Sequence, residues 1–148
     1  MAKSTKCLRQ GSVLAPTLFN VYTNDQPIAQ NTKSFIYADD LCVATQSECF
    51  DEIERCLNNA LIDLGAYYKQ WYLNANPTKT QVCVFHLDNH KANHKLNIEW
   101  DGTQLEHCSA PIYLGVTLDR ALTFRPHINK LKKKLNTRVC LLQQQMGL

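Results

Sequence analysis

The sequence holds 7 cysteines but no Cys-x-x-Cys pair. Their number is odd, and most of Cys7, Cys42, Cys49, Cys56, Cys83, Cys108 and Cys140 sit inside apolar runs. That pattern excludes a disulfide framework and reads as reduced, buried small hydrophobes of an intracellular protein. No stretch approaches the roughly 18 uninterrupted apolar residues of a membrane span, so no membrane is among the expected partners. The opening Met1-Ala2-Lys3-Ser4-Thr5-Lys6 is too short and polar for a signal peptide, and nothing points to secretion. Nucleus and cytoplasm stay equally open. Neither sign of charge dominates: the net charge is +3, which permits a nucleic-acid partner without demanding one. At 148 residues the chain is one domain or a piece of a larger one.

What is present centres on Tyr37-Ala38-Asp39-Asp40. Short apolar runs flank it, Ser34-Phe35-Ile36 before and Leu41-Cys42-Val43-Ala44 after, and both read as strands. The Asp39-Asp40 pair reads as the tight turn between them. Two adjacent carboxylates at a hairpin tip suit a hard divalent cation such as Mg²⁺, which takes oxygen ligands. Taken alone, the pair fits a solvated turn better, because turns favour Asp; the flanking sequence reverses that balance.

Upstream, Arg9-Gln10-Gly11-Ser12 forms a polar turn, and Pro16 fits the first turn of a helix. Leu14, Leu18, Val21 and Tyr22 fall on one face of that helix. Downstream, Thr45 and Glu48 have capping-box spacing. They precede a long helix with a core stripe of Phe50, Ile53, Leu57, Leu61, Leu64, Tyr68 and Trp71, widened by Cys49, Cys56 and Ala60. Asn76-Pro77-Thr78-Lys79-Thr80 predicts a turn, and Gln81 to Leu87 a strand. His86, His90 and His94 recur at four-residue steps. The segment between them reads as a loop, so no metal site is assigned there. Leu96–Trp100 and Thr103–Leu105 predict a hairpin across Asp101-Gly102. Pro111 to Asp119 reads as another strand, with Gly115 marking a bulge or a close backbone approach. The final helix begins near Pro126. It carries an apolar stripe of Ile128, Leu131, Leu135, Val139, Leu142 and Met146. Its other faces carry Lys130, Lys132, Lys133, Lys134 and Arg138, which can lie along phosphates or simply face water.

Four of these blocks, in this order, resemble the reverse transcriptase of non-LTR retrotransposons of the jockey-like kind. Gln10-Gly11-Ser12-Val13-Leu14-Ala15-Pro16-Thr17-Leu18-Phe19-Asn20 looks like the family's motif B. Phe35-Ile36-Tyr37-Ala38-Asp39-Asp40 looks like motif C. Asn76 to Thr80 looks like motif D, and Tyr113 to Asp119 like motif E. The resemblance covers nearly the whole chain.

The resemblance implies an α/β polymerase palm, an antiparallel sheet backed by helices, over residues 1–122, with the beginning of a basic thumb helix over 123–148. It implies RNA-directed DNA polymerase activity by two-metal nucleotidyl transfer, with two Mg²⁺ ions, an RNA template, a DNA primer and deoxynucleoside triphosphates. Asp39 and Asp40 would be the metal ligands, and Lys79 would act on the leaving pyrophosphate. Gln10, Gly11, Ser12 and Tyr37 would shape the nucleotide and template pocket. Leu114 and Gly115 would hold the primer end, and Lys130, Lys132, Lys133, Lys134 and Arg138 the nucleic-acid backbone. Two departures stand out. Nothing upstream of Arg9 matches the family's first catalytic aspartate, on motif A. Cys7-Leu8-Arg9-Gln10-Gly11 also stands where the family usually reads Gly-x-Pro-Gln-Gly. The chain alone is therefore expected to be inactive, a palm fragment. The alternatives are a non-catalytic nucleic-acid-binding module or a non-functional relic.

Overall fold

The computed structural model describes residues 13–146. The chain divides into two compact units, Met1–Ala75 and Asn76–Leu148, each built around its own apolar cluster. No helix of the described residues is long and apolar enough to cross a membrane.

In the first unit, helix α1 (Ala15–Thr23) precedes the antiparallel strands β1 (Thr32–Tyr37) and β2 (Asp40–Thr45) and the long helix α2 (Phe50–Gln70). Pro16 sits in the first turn of α1, where its missing N–H costs nothing. Helix α2 packs across the hairpin. Cys56, Ala60, Leu61, Leu64 and Tyr67 are its buried positions, spaced by three and four residues as one helix face requires. The predicted Thr45–Glu48 capping box does not form. Thr45 closes β2 and its hydroxyl donates to the Asn31 carbonyl at 2.7 Å. Ser47 instead accepts the Cys49 N–H at 3.3 Å and bonds the Glu52 carboxylate. At the other end of α2, Tyr72 takes φ 57. The Leu73 N–H then reaches the Tyr68 carbonyl at 2.9 Å, and the Tyr72 N–H reaches that of Lys69. This is a Schellman stop with tyrosine where glycine is usual.

The predicted apolar face of α1 is not covered: Leu14, Leu18, Val21 and Tyr22 are exposed, and the residue α1 buries is Thr23. Its hydroxyl donates to the Phe19 carbonyl at 2.9 Å. Phe35, Ile36 and Tyr37 of β1 are exposed as well.

The second unit holds a 3₁₀ turn (Pro77–Lys79), β3 (Gln81–Val82) and the single-turn α3 (Asn89–Ala92). Two short pairs follow, β4 (Glu99–Trp100) with β5 (Thr103–Gln104), and β6 (Glu106–His107) with β3. The unit ends with β7 (Ile112–Tyr113), β8 (Val116–Thr117) and α4 (Arg125–Met146). Its buried cluster is Val82, Val84, Ala92, Leu96, Ile98, Trp100 and Leu105.

The fold is thus mixed helix and strand. One backed antiparallel sheet was expected; among the described residues there are instead four two-stranded pairs, three antiparallel and one, β3–β6, parallel. The strand expected from Gln81 to Leu87 pairs only at its first two residues, yet burial still alternates through Val82 and Val84. The span from Pro111 to Asp119 is a hairpin and not one strand. Leu114 at φ 47 and Gly115 at φ 80 are its turn. The predicted Asp101-Gly102 turn forms with φ 49 and 72. Both are two-residue turns with two positive φ values, matching the twist of a hairpin. Asp88 caps α3 by accepting the His90 N–H at 2.9 Å. The helix ends at Ala92, so His94 does not share its face.

Candidate active site

Tyr37 pairs with Asp40, which leaves Ala38 and Asp39 as the turn of the first hairpin. The expected Asp-Asp turn is therefore shifted by one residue: Asp39 lies in the turn and Asp40 is the first residue of β2. Ala38 takes φ 52, a left-handed conformation that costs a residue with a Cβ roughly 1–2 kcal/mol. Such strain is held in place by the six register pairs behind it and tends to concentrate at functional sites. Tyr37, Asp39 and Asp40 are all exposed. Among the described residues neither carboxylate is held by a hydrogen bond or an ion pair.

The donor set fits magnesium. Two carboxylates offer only hard oxygen atoms, and Mg²⁺ is commonly bound by one or two carboxylates together with waters and substrate phosphates. No group of three or more His, Cys, Asp or Glu side chains able to hold a metal ion forms among the described residues.

Within the same unit, Tyr67 and Asp25, which the sequence pattern did not single out, join Tyr22 and Trp71 in fastening α1 to α2. The buried Tyr67 hydroxyl lies 2.7 Å from the Asp25 carboxylate and 3.0 Å from the Tyr22 carbonyl, both acceptors. Burial, and then the Asp25 carboxylate, push the Tyr67 phenol well above its ordinary value. The Tyr22 hydroxyl donates to the Trp71 carbonyl, and the Tyr22 and Trp71 rings meet edge to face with centroids 5.5 Å apart. Sequence periodicity placed Tyr68 inward. The phase of Cys56, Ala60 and Leu64 continues instead to Tyr67, which was the signal to follow. A cleft of about 350 Å³ between Asn31 and the Arg55, Asn59 and Asp63 side of α2 lies at the base of the hairpin. That is about 20 Å along the strands from Asp39.

Lys79, Leu114, Gly115 and the basic helix belong to the second unit. Lys79 ends a turn closed on Asn76, whose carbonyl accepts from the Lys79 N–H at 3.1 Å, the Thr80 N–H at 3.2 Å and the Thr80 hydroxyl at 3.0 Å. The turn packs on β5 and leaves Lys79 exposed. Leu114 and Gly115 form the β7–β8 turn. That hairpin and the basic helix are brought together: α4 packs on β8, and the Thr117 N–H donates to His127 Nδ1 at 3.3 Å. Asp119 fastens the same junction, accepting from the Thr123 N–H at 3.0 Å, the Thr123 hydroxyl at 2.9 Å and the Phe124 N–H at 2.6 Å. Desolvation pulls the Asp119 carboxyl upward, but these hydrogen bonds outweigh it and hold the group below the ordinary carboxylate value. His127 does not stand out in the sequence, and Asp119 enters there only as the last residue of the motif E-like block. From Ile128 to Gln145 every residue of α4 is exposed, including Lys130, Lys132, Lys133, Lys134 and Arg138. Gln10, Gly11 and Ser12 lie outside the described residues.

A family model described as reverse transcriptase (RNA-dependent DNA polymerase) matches residues 2–118. The chain is 38% identical over 144 residues to a probable RNA-directed DNA polymerase from transposon BS of Drosophila melanogaster, an alignment covering 92% of this chain and 15% of that protein. It is 34% identical over 139 residues to the RNA-directed DNA polymerase from mobile element jockey of Drosophila funebris, covering 88% of this chain and 15% of that one. The D. melanogaster jockey polymerase is 30% identical over 138 residues, covering 88% of this chain and 15% of the relative. The chain thus spans about one seventh of the length of these relatives. No solved structure matches it significantly.

Proposed function

Because the chain belongs to the reverse transcriptase family of mobile elements, we propose that it is the palm segment that presents the metal-binding hairpin, followed by the start of the thumb. The reaction is RNA-templated transfer of a deoxynucleotide to a DNA primer. The observation that supports this reading best is the hairpin tip: two exposed carboxylates, without partners among the described residues, at and just after a turn that its strands hold in a strained backbone.

Asp39 and Asp40 would hold Mg²⁺ through their carboxylate oxygens, and the metal, when bound, would supply charge stabilisation to the phosphoryl transfer. Tyr37 pairs with Asp40 and would shape the nucleotide and template pocket, a role shared with Gln10, Gly11 and Ser12. The exposed Lys79 ammonium neutralises the departing pyrophosphate or gives it a proton. The Leu114-Gly115 turn positions the primer end. The cations of α4 bind backbone phosphates, which carry charge but no sequence information.

Two carboxylates are short of a two-metal donor set. The remaining ligand comes from polypeptide beyond the described residues, and the 148-residue chain by itself does not extend a primer. A segment exchange tests the reading. The chain replaces the matching part of the transposon BS polymerase, and Mg²⁺-dependent extension of a DNA primer on an RNA template is measured. The exchange should support extension, and Asp39→Ala should remove it, by at least a hundredfold for the loss of one hard-metal ligand, with the protein still folded. Extension that survives Asp39→Ala, or extension by the unfused chain, overturns the proposal.

A further inference from the structure

Cys83 and Cys108 follow directly on the two members of the parallel pair. Gln81 is in register with Glu106 and Val82 with His107, and the Cys108 N–H donates to the Val82 carbonyl at 2.8 Å. One further step of the same register sets Cys83 beside Cys108. Neighbouring strands run about 4.8 Å apart, inside the roughly 4.4–6.8 Å Cα separation that a disulfide spans. Strand alternation puts both thiols on the face opposite Val82 and His107. Both are free and half-buried.

We propose that Cys83 and Cys108 form a latent disulfide site, a thiol pair on parallel strands that hydrogen peroxide converts to a covalent link. The sulfur of one cysteine attacks the peroxide O–O bond, giving a sulfenic acid and one water. The second sulfur attacks the sulfenic sulfur, forms the S–S bond and releases a second water. Two thiols lose two electrons in all, and the peroxide is reduced to two waters. The electrostatics agree with the proximity. Burial pushes the Cys83 thiol up to about 11, Cys108 adds to the rise and Arg120 opposes it. Cys83 is therefore protonated at neutral pH, and because the thiolate is the nucleophile, the pair stays reduced until oxidant is sustained. The link would join the strand that follows Lys79 to the strand that leads into the Leu114-Gly115 hairpin. It depends on the register of this unit and not on the polymerase reading.

The full chain is reduced and then treated with hydrogen peroxide under native conditions, and the remaining thiols are alkylated and mapped by peptide. The expected product is a Cys83–Cys108 linked peptide pair, reversed by dithiothreitol. Closing a loop of about 26 residues should raise Tm on the order of 10 °C. Cys108→Ala should lose both the link and the shift, and Cys49→Ala should keep both. Oxidation in urea should yield the pair no more often than other pairings. If Cys83 and Cys108 remain alkylated while the exposed Cys49 or Cys140 is oxidised, or if the link forms equally in urea, the proposal falls. Mapping on the unsubstituted chain decides between these outcomes even if a variant folds poorly.

Discussion

Among the described residues the hairpin that carries Asp39 and Asp40 has no second sheet behind it; what holds it is one face of α2. Leu64 is the most deeply buried residue of that face at 2% exposure, and Ile62, two positions away, is 68% exposed. Replacing Leu64 by Ala removes buried methyl groups and leaves a cavity, at a cost of about 3 kcal/mol. The same truncation at Ile62 should stay within about 0.5 kcal/mol, the usual range for surface sites. The chain has two tryptophans: Trp71 ends α2 in the first unit and Trp100 is buried in the second. In a Trp100→Phe background the fluorescence of Trp71 alone follows the α2 unit. Leu64→Ala should then lower the urea midpoint by about 1–2 M, with a slope of about 2 kcal/mol/M. Ile62→Ala should leave it almost unmoved. Equal shifts for the two variants would refute the assignment of the buried face, and with it the account of what carries Asp39 and Asp40.

Two further outcomes follow from the hydrogen bonds. Tyr67→Phe should cost about 1 kcal/mol through loss of the contacts to Asp25 and the Tyr22 carbonyl. In the parent chain one tyrosine should ionise late in a phenolate absorbance titration. The folded value lies above the ordinary 10, so this contribution is intact below pH 10 and is lost as pH rises beyond it; a late titration that persists in Tyr67→Phe would contradict this. For Asp119 the sign is opposite. Its folded value lies below 3.8, so its contribution is present above that pH and fades as pH falls through the lower folded value. Amide exchange at Thr123 and Phe124 should accelerate on acidification in that window, and should already be fast at neutral pH in Asp119→Ala. Unchanged exchange in the variant would remove Asp119 from the junction.

The sequence made the elements legible more readily than their turns and partners. Alternation around Tyr37–Asp40 located the first hairpin, and the Asp101-Gly102 dipeptide located another, because Gly and Asp tolerate positive φ. The same conformation occurs at Ala38, Tyr72 and Leu114, residue types that give no such signal. For that reason the sequence pattern puts the first turn one residue late and presents the β7–β8 hairpin as a single strand. The apolar stripes of α1 and α4 correctly predicted helices but not burial. A stripe reports which face avoids water; it does not report whether the partner lies in the same 148 residues. The order of the four family-like blocks was legible because it depends on residue identity. Their three-dimensional assembly was not, since among the described residues no group of three or more acidic, His or Cys side chains comes together around Asp39 and Asp40.

The attachment of α4 has a mechanical consequence. The helix is about 33 Å long at 1.5 Å per residue, and its named fastenings, Asp119 to Thr123 and Phe124, and Thr117 to His127, all lie at its first turn. It is a lever with its fulcrum beside the Leu114-Gly115 turn. A tilt of about 10° at that fulcrum carries the far end about 6 Å, more than one helical pitch of 5.4 Å. The same tilt would move Lys134, about 13 Å up the shaft, by only about 2 Å, so a change at Asp119 or His127 would be felt by the cations in proportion to their distance from the fulcrum.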